Sequence, residues 1–387
     1  MALTSLPVLF QHSLLSDYRL DVATRQLAYP PSRRNGKSIV DQVYRFIPVE
    51  FGKLMTRIFL VFLSLLPFTG LMPGCSATTP KSAHAQSEQY TILHDGIKRT
   101  YSVYVPEGIG ISQAVPLLMA LHGGGGSDKA WPRYTDYGFE RLADSEKFIL
   151  VYPNGVDGHW NDGRDVQRFY AQRERIDDSG FLARLIDELK KAYPIDPHRI
   201  FVTGASNGGM MAHRLAAEHA GKVAAIATVI ASIPSNLQGK LHPSHPVSVL
   251  MINGTDDPLV RWEGGPVRFG RKSNGAVIST EKAVSFWVDH NNCSPAAETI
   301  DLPDADPDDG TSITRIGYRD CKSGSAVVLY RIVGGGHTWP MQAERRGRIG
   351  GMLIDSLVGK RSREIDACDV IWEFFKKHPD RHEPSDD

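Results

Sequence analysis

Cysteine is scarce in this chain of 387 residues. There are four, with no C-x-x-C pair, and the 14 histidines form no cluster at metal-ligand spacing, so no metal and no cofactor are expected. A charge excess is also missing. Lys plus Arg and Asp plus Glu each number 44, for a formal net charge of +0, so nothing suggests a polyanion partner and nucleic acid is unexpected. The apolar run Ile58–Phe68 is too short for a comfortable membrane span. No internal repeat and no second core are visible, which points to one domain.

What is present begins with a leader. Ile58–Phe68, IFLVFLSLLPF, is uncharged and is preceded by Lys53 and Arg57, as in the core of a secretory signal. Two exits follow it. Leu71-Met72-Pro73-Gly74-Cys75 resembles a bacterial lipobox with Cys75 as the lipidated residue, whereas Ala83-His84-Ala85 is a small-x-small site for ordinary cleavage. Met55-Thr56-Arg57 would make a natural signal start. Residues 1–54 are therefore expected to be an over-extended start or disordered, 55–85 a signal with tether, and 87–380 the folded domain. Export to the periplasm or the extracellular space follows, with membrane contact only through a lipid on Cys75. Cys293 and Cys321, in a turn-rich region, are free to bridge in such a compartment. Cys368 lies in a helical pattern with Val370, Ile371 and Phe374 and reads as a buried thiol.

The body alternates strands with helices. Tyr90–Leu93 and Thr100–Val105 read as strands joined around Asp95-Gly96, a hairpin signal. Val115–Leu121, Phe148–Tyr152, Ile200–Val202, Val223–Ile230, Val247–Ile252 and Ala326–Val333 are apolar runs of the kind buried in a parallel sheet. Glu140–Lys147, Ser179–Tyr193, the stretch from Met210, Thr280–His290 and Asp366–Lys377 have helical spacing. The expected class is α/β: a doubly wound, mostly parallel sheet with an N-terminal antiparallel hairpin. Ligands of such sheets bind outside the carboxyl ends of the strands.

The candidate chemistry lies at those ends. Gly204-Ala205-Ser206-Asn207-Gly208 fits the G-x-S-x-G pattern, in which a tight strand-to-helix turn exposes a serine hydroxyl at a helix start. His337 follows a strand and three glycines, where an imidazole can reach a serine through one nitrogen while a carboxylate holds the other. His213 and His219, on the helix after the turn, read as structural. The carboxylate is Asp256 or Asp257; Pro258 stiffens the turn after Asp257 and favours it. An oxyanion would be held by the N–H of Asn207 and by one from the run after His122, with Gly124 and Gly125 as candidates. That run lacks the Lys-Ser/Thr ending of a phosphate cradle, and His122 reads as a brace for the loop. Trp160 and Trp339 are candidates for lining a pocket, with ordinary core packing as the other reading.

With these residues assembled, the chain resembles the extracellular esterases of the polyhydroxybutyrate depolymerase family, in the α/β-hydrolase superfamily. The matching segments are LHGGGGS (121–127), YPNG (152–155), WNDGR (160–164), DDSGF (177–181), RIFVTGASNGGMMAHRLA (199–216), INGTDDPLV (252–260) and GGGHTWP (334–340). The resemblance implies an α/β-hydrolase fold, a triad of Ser206, Asp257 and His337, and a disulfide between Cys293 and Cys321. It also implies an ester substrate, a hydroxyalkanoate oligomer or an esterified carbohydrate carrying feruloyl or acetyl groups. No added substrate-binding domain or Thr/Ser-rich linker is visible, which favours soluble oligomers and small esters. The chain departs from the family pattern at Asn253, often histidine, and at Asp256, often a small residue.

Overall fold

The computed structural model describes residues 88–379, apart from 111–112, 271 and 343–356. The expected boundaries at 54 and 85, and Cys75, lie outside the described residues. β1 (Glu88–His94) and β2 (Ile97–Tyr104) pair antiparallel from Glu88 opposite Val103 to His94 opposite Ile97. Asp95 and Gly96 close the turn at φ 47° and 74°, the left-handed backbone that a two-residue hairpin turn needs. The strands that follow are β3 (Val115–Leu121), β4 (Ile149–Pro153), β5 (Ile195–Ala205), β6 (Ala225–Val229), β7 (Ser248–Gly254), β8 (Gly265–Phe269), β9 (Lys272–Val277), β10 (Ala297–Asp301), β11 (Ser312–Tyr318) and β12 (Val327–Val333).

Ten of these strands form one sheet in the order β1-β2-β4-β3-β5-β6-β7-β12-β11-β10. The six from β4 to β12 run parallel, and the flanking pairs run antiparallel. The chain winds outward from β3 to β4, then returns past β3 to lay down β5. That reversal opens a crevice between the carboxyl ends of β3 and β5.

Both faces of the sheet are buried at β3, whose successive side chains point to opposite sides. Leu117, Met119 and Leu121 join one core, with residues of α2 (Asp178–Ala192), α3 (Asn207–Glu218) and α4 (Thr280–His290) once α1 (Gly138–Glu146) is counted first in the chain. Leu118 and Ala120 join the other, with α1 and α5 (Ala367–Lys377). The helix starts are set by local chemistry. Asp177, Ser279 and Asp366 accept the backbone N–H of Gly180, Lys282 and Cys368 at 2.9, 3.2 and 2.9 Å, each satisfying a donor that the first turn leaves free. Together these features make the α/β-hydrolase fold.

The sheet extends further than the apolar runs predict. β10 and β11 add an antiparallel edge beyond β12, and β8 with β9 makes a separate hairpin. β10 is AETID, exposed along most of its length, so an edge strand of this kind has no buried run to announce it. The β8–β9 hairpin packs Val267 and Val277 against Met210, Ala231 and Val260. Cys293 and Cys321 form a disulfide that ties the end of α4 to the chain after β11, across a separation of 28 residues. Closing a loop of that length stabilises the fold by roughly 3–4 kcal/mol on the chain-entropy estimate. Cys368 is a buried free thiol. Its sulfur lies 2.6 Å from where a Cβ on Gly138 would stand, so α1 and α5 meet through a glycine. No helix among the described residues is long and apolar enough to cross a membrane.

Candidate active site

Ser206 sits between β5 and α3 at φ 53° and ψ −118°, a strained backbone for a residue with a side chain. The glycines around it are required by space. A Cβ on Gly204 would stand 2.6 Å from the Gly208 backbone, one on Gly208 2.3 Å from the Leu121 carbonyl, and one on Gly209 2.6 Å from Ala231 Cβ. Strand, turn and helix therefore approach as closely as bare backbone allows, and the turn cannot relax. Ser206 makes no side-chain capping bond to α3.

Asp257 and His337 meet although 80 residues separate them; His337 Nδ1 lies 2.7 Å from Asp257 Oδ2. They follow β7 and β12, which are neighbours in the sheet. The two loops are stitched together past the strand ends. Thr255 N–H donates to Ile332 O at 2.9 Å, Asp256 N–H to Gly335 O at 3.0 Å, and Gly334 N–H to Thr255 Oγ1 at 2.9 Å. The glycine run before His337 is packed rather than slack. A Cβ on Gly335 would stand 2.5 Å from Ile332 Cγ2, and one on Gly336 2.3 Å from Val358 O. Asp257 Oδ1 also accepts the N–H groups of Leu259 and Val260, both at 2.8 Å. Its side chain is 1% exposed and that of His337 10%. Asp256 faces solvent, and among the described residues its carboxylate takes the Thr255 hydroxyl, at 2.9 Å. Of the two adjacent carboxylates, Asp257 is the one on the histidine. No hydrogen bond joins the Ser206 hydroxyl to His337 among the described residues; contacts of this kind tighten when substrate enters.

The loop after β3 faces Ser206. A Cβ on Gly123 would stand 3.9 Å from Ser206 Cβ, and one on Gly124 3.8 Å from Asn207 Cβ. Gly125 N–H is already donated to Gly158 O at 2.7 Å. Gly125 is thereby removed as an oxyanion donor, and Gly124 remains of the two glycines proposed. His122 braces this loop. Its Nδ1 donates to Gly123 O at 2.8 Å and its Nε2 accepts Gly155 N–H at 3.0 Å. Burial pushes its pKa down to about 4, so the ring stays neutral.

The Asn207 side chain is held from below. Its Oδ1 accepts Trp160 N–H at 2.9 Å, and its Nδ2 donates to Trp160 O at 3.1 Å and to Asp162 Oδ2 at 2.6 Å. Asp162, fully buried, also takes Arg164 Nε at 2.8 Å and Gln172 Nε2 at 3.2 Å. With the side chain fully engaged, the backbone N–H of Asn207 sits at the start of α3, where the dipole favours negative charge. Asp162, inside the WNDGR segment, fixes the Asn207 side chain, a role that no motif in the sequence marks.

The two tryptophans do not line a pocket. Trp160 is 0% exposed and donates its indole N–H to His122 O at 2.9 Å. Trp339 is 1% exposed and packs edge-on against Trp131 and Phe139. Both belong to the core, which absorbs large aromatic rings wherever strand ends leave room.

No protein-family model matches the chain. Among curated proteins it is 30% identical over 302 residues to NocK of Nocardia uniformis subsp. tsuyamanensis, which carries the name of esterase; the match covers 76% of this chain and 83% of that one. It is 28% identical over 248 residues to the bifunctional acetylxylan esterase/xylanase XynS20E of Neocallimastix patriciarum, covering 63% of this chain and 31% of that longer protein. Poly(3-hydroxyalkanoate) depolymerase C of Paucimonas lemoignei is 27% identical over 299 residues, with 70% of this chain and 65% of its own length covered. The α/β-hydrolase sheet and the relatedness to NocK lead to one statement: this chain belongs to that family of esterases and is a carboxylic-ester hydrolase.

Proposed function

We propose that the chain is an exported serine esterase whose substrates are oligoesters of the 3-hydroxybutyrate type. His337 takes the proton of Ser206 as the serine oxygen attacks the ester carbonyl. Asp257 holds the imidazole in the tautomer that keeps Nε2 free as an acceptor, and stabilises the imidazolium that forms. The N–H groups of Asn207 and Gly124 carry the oxyanion. His337 then gives its proton to the leaving alcohol, and water repeats the sequence on the acyl-enzyme. The observation that carries this reading is the 2.7 Å contact between His337 Nδ1 and Asp257, at the same sheet edge as a serine held at φ 53°.

The polyester substrate is supported by the likeness to depolymerase C. A second reading, removal of acetyl or feruloyl groups from plant polysaccharide, is favoured by the likeness to the acetylxylan esterase and, for feruloyl groups, by 27% identity over 256 residues to feruloyl esterase B of Piromyces equi. Export is supported by the apolar run Ile58–Phe68 and by the Cys293–Cys321 disulfide, a bond that persists in oxidising compartments. In this reading the membrane is touched only through a lipid on Cys75, and no nucleic acid is bound.

The test is turnover of 3-hydroxybutyrate oligomers, methyl ferulate, acetylated xylan and short p-nitrophenyl esters by the protein and by Ser206→Ala. Loss of all turnover in the variant, with 3-hydroxybutyrate oligomers preferred by the parent, is the expected result. Preference for acetylated xylan or methyl ferulate would move the assignment to the carbohydrate reading. Turnover that survives Ser206→Ala would remove Ser206 as nucleophile.

A further inference from the structure

The turn Val156–His159 sits against the candidate oxyanion loop and has no part in the mechanism above. His159 N–H donates to Val156 O at 3.1 Å, and the two central residues, Asp157 and Gly158, have φ 52° and 70°. This is the tight geometry that an Asp-Gly pair adopts readily. Gly158 supplies the carbonyl that occupies Gly125 N–H, so the turn is anchored on the glycine run. His159 stands at its exit.

The orientation of the His159 ring is set on two sides. One face lies on Phe169, with ring centroids 4.0 Å apart and planes inclined by 19°. Nδ1 lies 3.0 Å from Asp157 O. A carbonyl only accepts, so Nδ1 carries the proton and the neutral ring offers Nε2 as a lone-pair acceptor. The Nε2 edge faces the site. A Cβ placed on Gly124 would stand 3.4 Å from His159 Cδ2, 3.5 Å from His159 Nε2 and 3.8 Å from Asn207 Cβ. Gly124 has no side chain, so this gap is bordered by His159 Nε2 and by the two residues whose N–H groups are assigned to the oxyanion.

We propose that His159 is a specificity-determining residue, accepting through Nε2 a hydrogen bond from a substrate hydroxyl carried close to the ester carbonyl. The proposal rests on the serine-esterase reading, because the oxyanion donors fix where the carbonyl lies. Two substrate positions carry a hydroxyl close to that carbonyl: the third carbon of the acyl chain, and the carbon next to the ester-bearing carbon of the alcohol. Phe169 holds the ring plane, and Gly124 leaves the space in which the hydroxyl would sit.

Two matched pairs of esters test it: p-nitrophenyl 3-hydroxybutyrate against p-nitrophenyl butyrate, and 2-hydroxyethyl butyrate against ethyl butyrate. The purified protein is expected to favour the hydroxylated member of one pair by about tenfold in kcat/KM, the scale of one neutral hydrogen bond. The pair that shows the preference identifies the acyl or the alcohol side. His159→Phe keeps a ring on Phe169 but removes the acceptor, and is expected to bring that ratio close to one. His159→Gln retains an acceptor and is expected to restore part of it. Equal turnover within both pairs by the parent protein would overturn the proposal whether or not the variants fold. So would a preference that survives in a folded His159→Phe. In either case the serine mechanism would stand, whereas turnover of none of the four esters would overturn that reading and the proposal with it.

Discussion

Gly254 and Gly335 meet backbone to backbone: a Cβ on Gly254 would stand 2.1 Å from Gly335 O. One ends β7 and the other follows β12, and the loops beyond them carry Asp257 and His337. Gly254→Ala has no room and must push the two loops apart. A displacement of about 1 Å in an assembled site costs on the order of 100-fold in rate. Gly254→Ala is therefore expected to lower kcat by about that factor, with a lower unfolding temperature. Steady-state kinetics beside a thermal melt checks this, and parent-like kcat would contradict it.

Asp256 and Asp257 are adjacent carboxylates with different surroundings, and substitution should separate them. Asp257→Asn leaves an amide facing His337 Nδ1 and favours the wrong imidazole tautomer. A loss of about 10⁴-fold in kcat is expected, by analogy with other histidine-carboxylate pairs. Asp256→Asn alters an exposed side chain that takes one hydroxyl, and kcat is expected to remain within about twofold of the parent, since surface changes away from such features are small. Similar losses in both variants would show that the orienting role is shared.

Much of the candidate site is legible in the sequence. The elbow shows in sequence because close approach demands glycine at fixed spacing, and the spacing survives in the linear chain. The parallel core strands show because burial on both faces leaves unbroken apolar runs, as in VPLLMAL. What was not legible depends on contacts between distant segments. Trp160 and Trp339 look alike in sequence whether they line a pocket or pack in the core. Gly124 and Gly125 are indistinguishable until Gly158 takes the N–H of Gly125. The Asp157-Gly158 pair announces a turn, but only its docking on the glycine run gives His159 a position. β10 and β11 hold few buried residues, and edge strands give periodicity little to detect.

His213 and His122 predict how stability changes with pH. Both are fully buried, His213 between Thr228 Oγ1 and the Trp287 indole N–H. Burial lowers their pKa values to about 3 and about 4, below the ordinary value of about 6.5 that an unfolded chain restores. Between those values the unfolded chain binds more protons than the folded one. Stability is therefore full above pH ~6.5 and is lost as pH falls toward 4, by up to about 1.4 kcal/mol per pH unit for each ring. Thermal melts from pH 7.5 to 4 are expected to show a falling midpoint. His213→Gln is expected to melt lower at pH 7.5, having lost the bond to Trp287, but to fall less steeply with acid. A parallel slope in the variant would remove His213 as a source of the acid sensitivity.

Whether Ser206 forms the acyl-enzyme is tested most directly by the mass of the protein after reaction with a fluorophosphonate. The expected result is a single adduct on the peptide containing Ser206, with none in Ser206→Ala and slowed formation in His337→Ala. An adduct on another residue, or labelling of Ser206→Ala at the parent rate, would show that Ser206 is not the nucleophile.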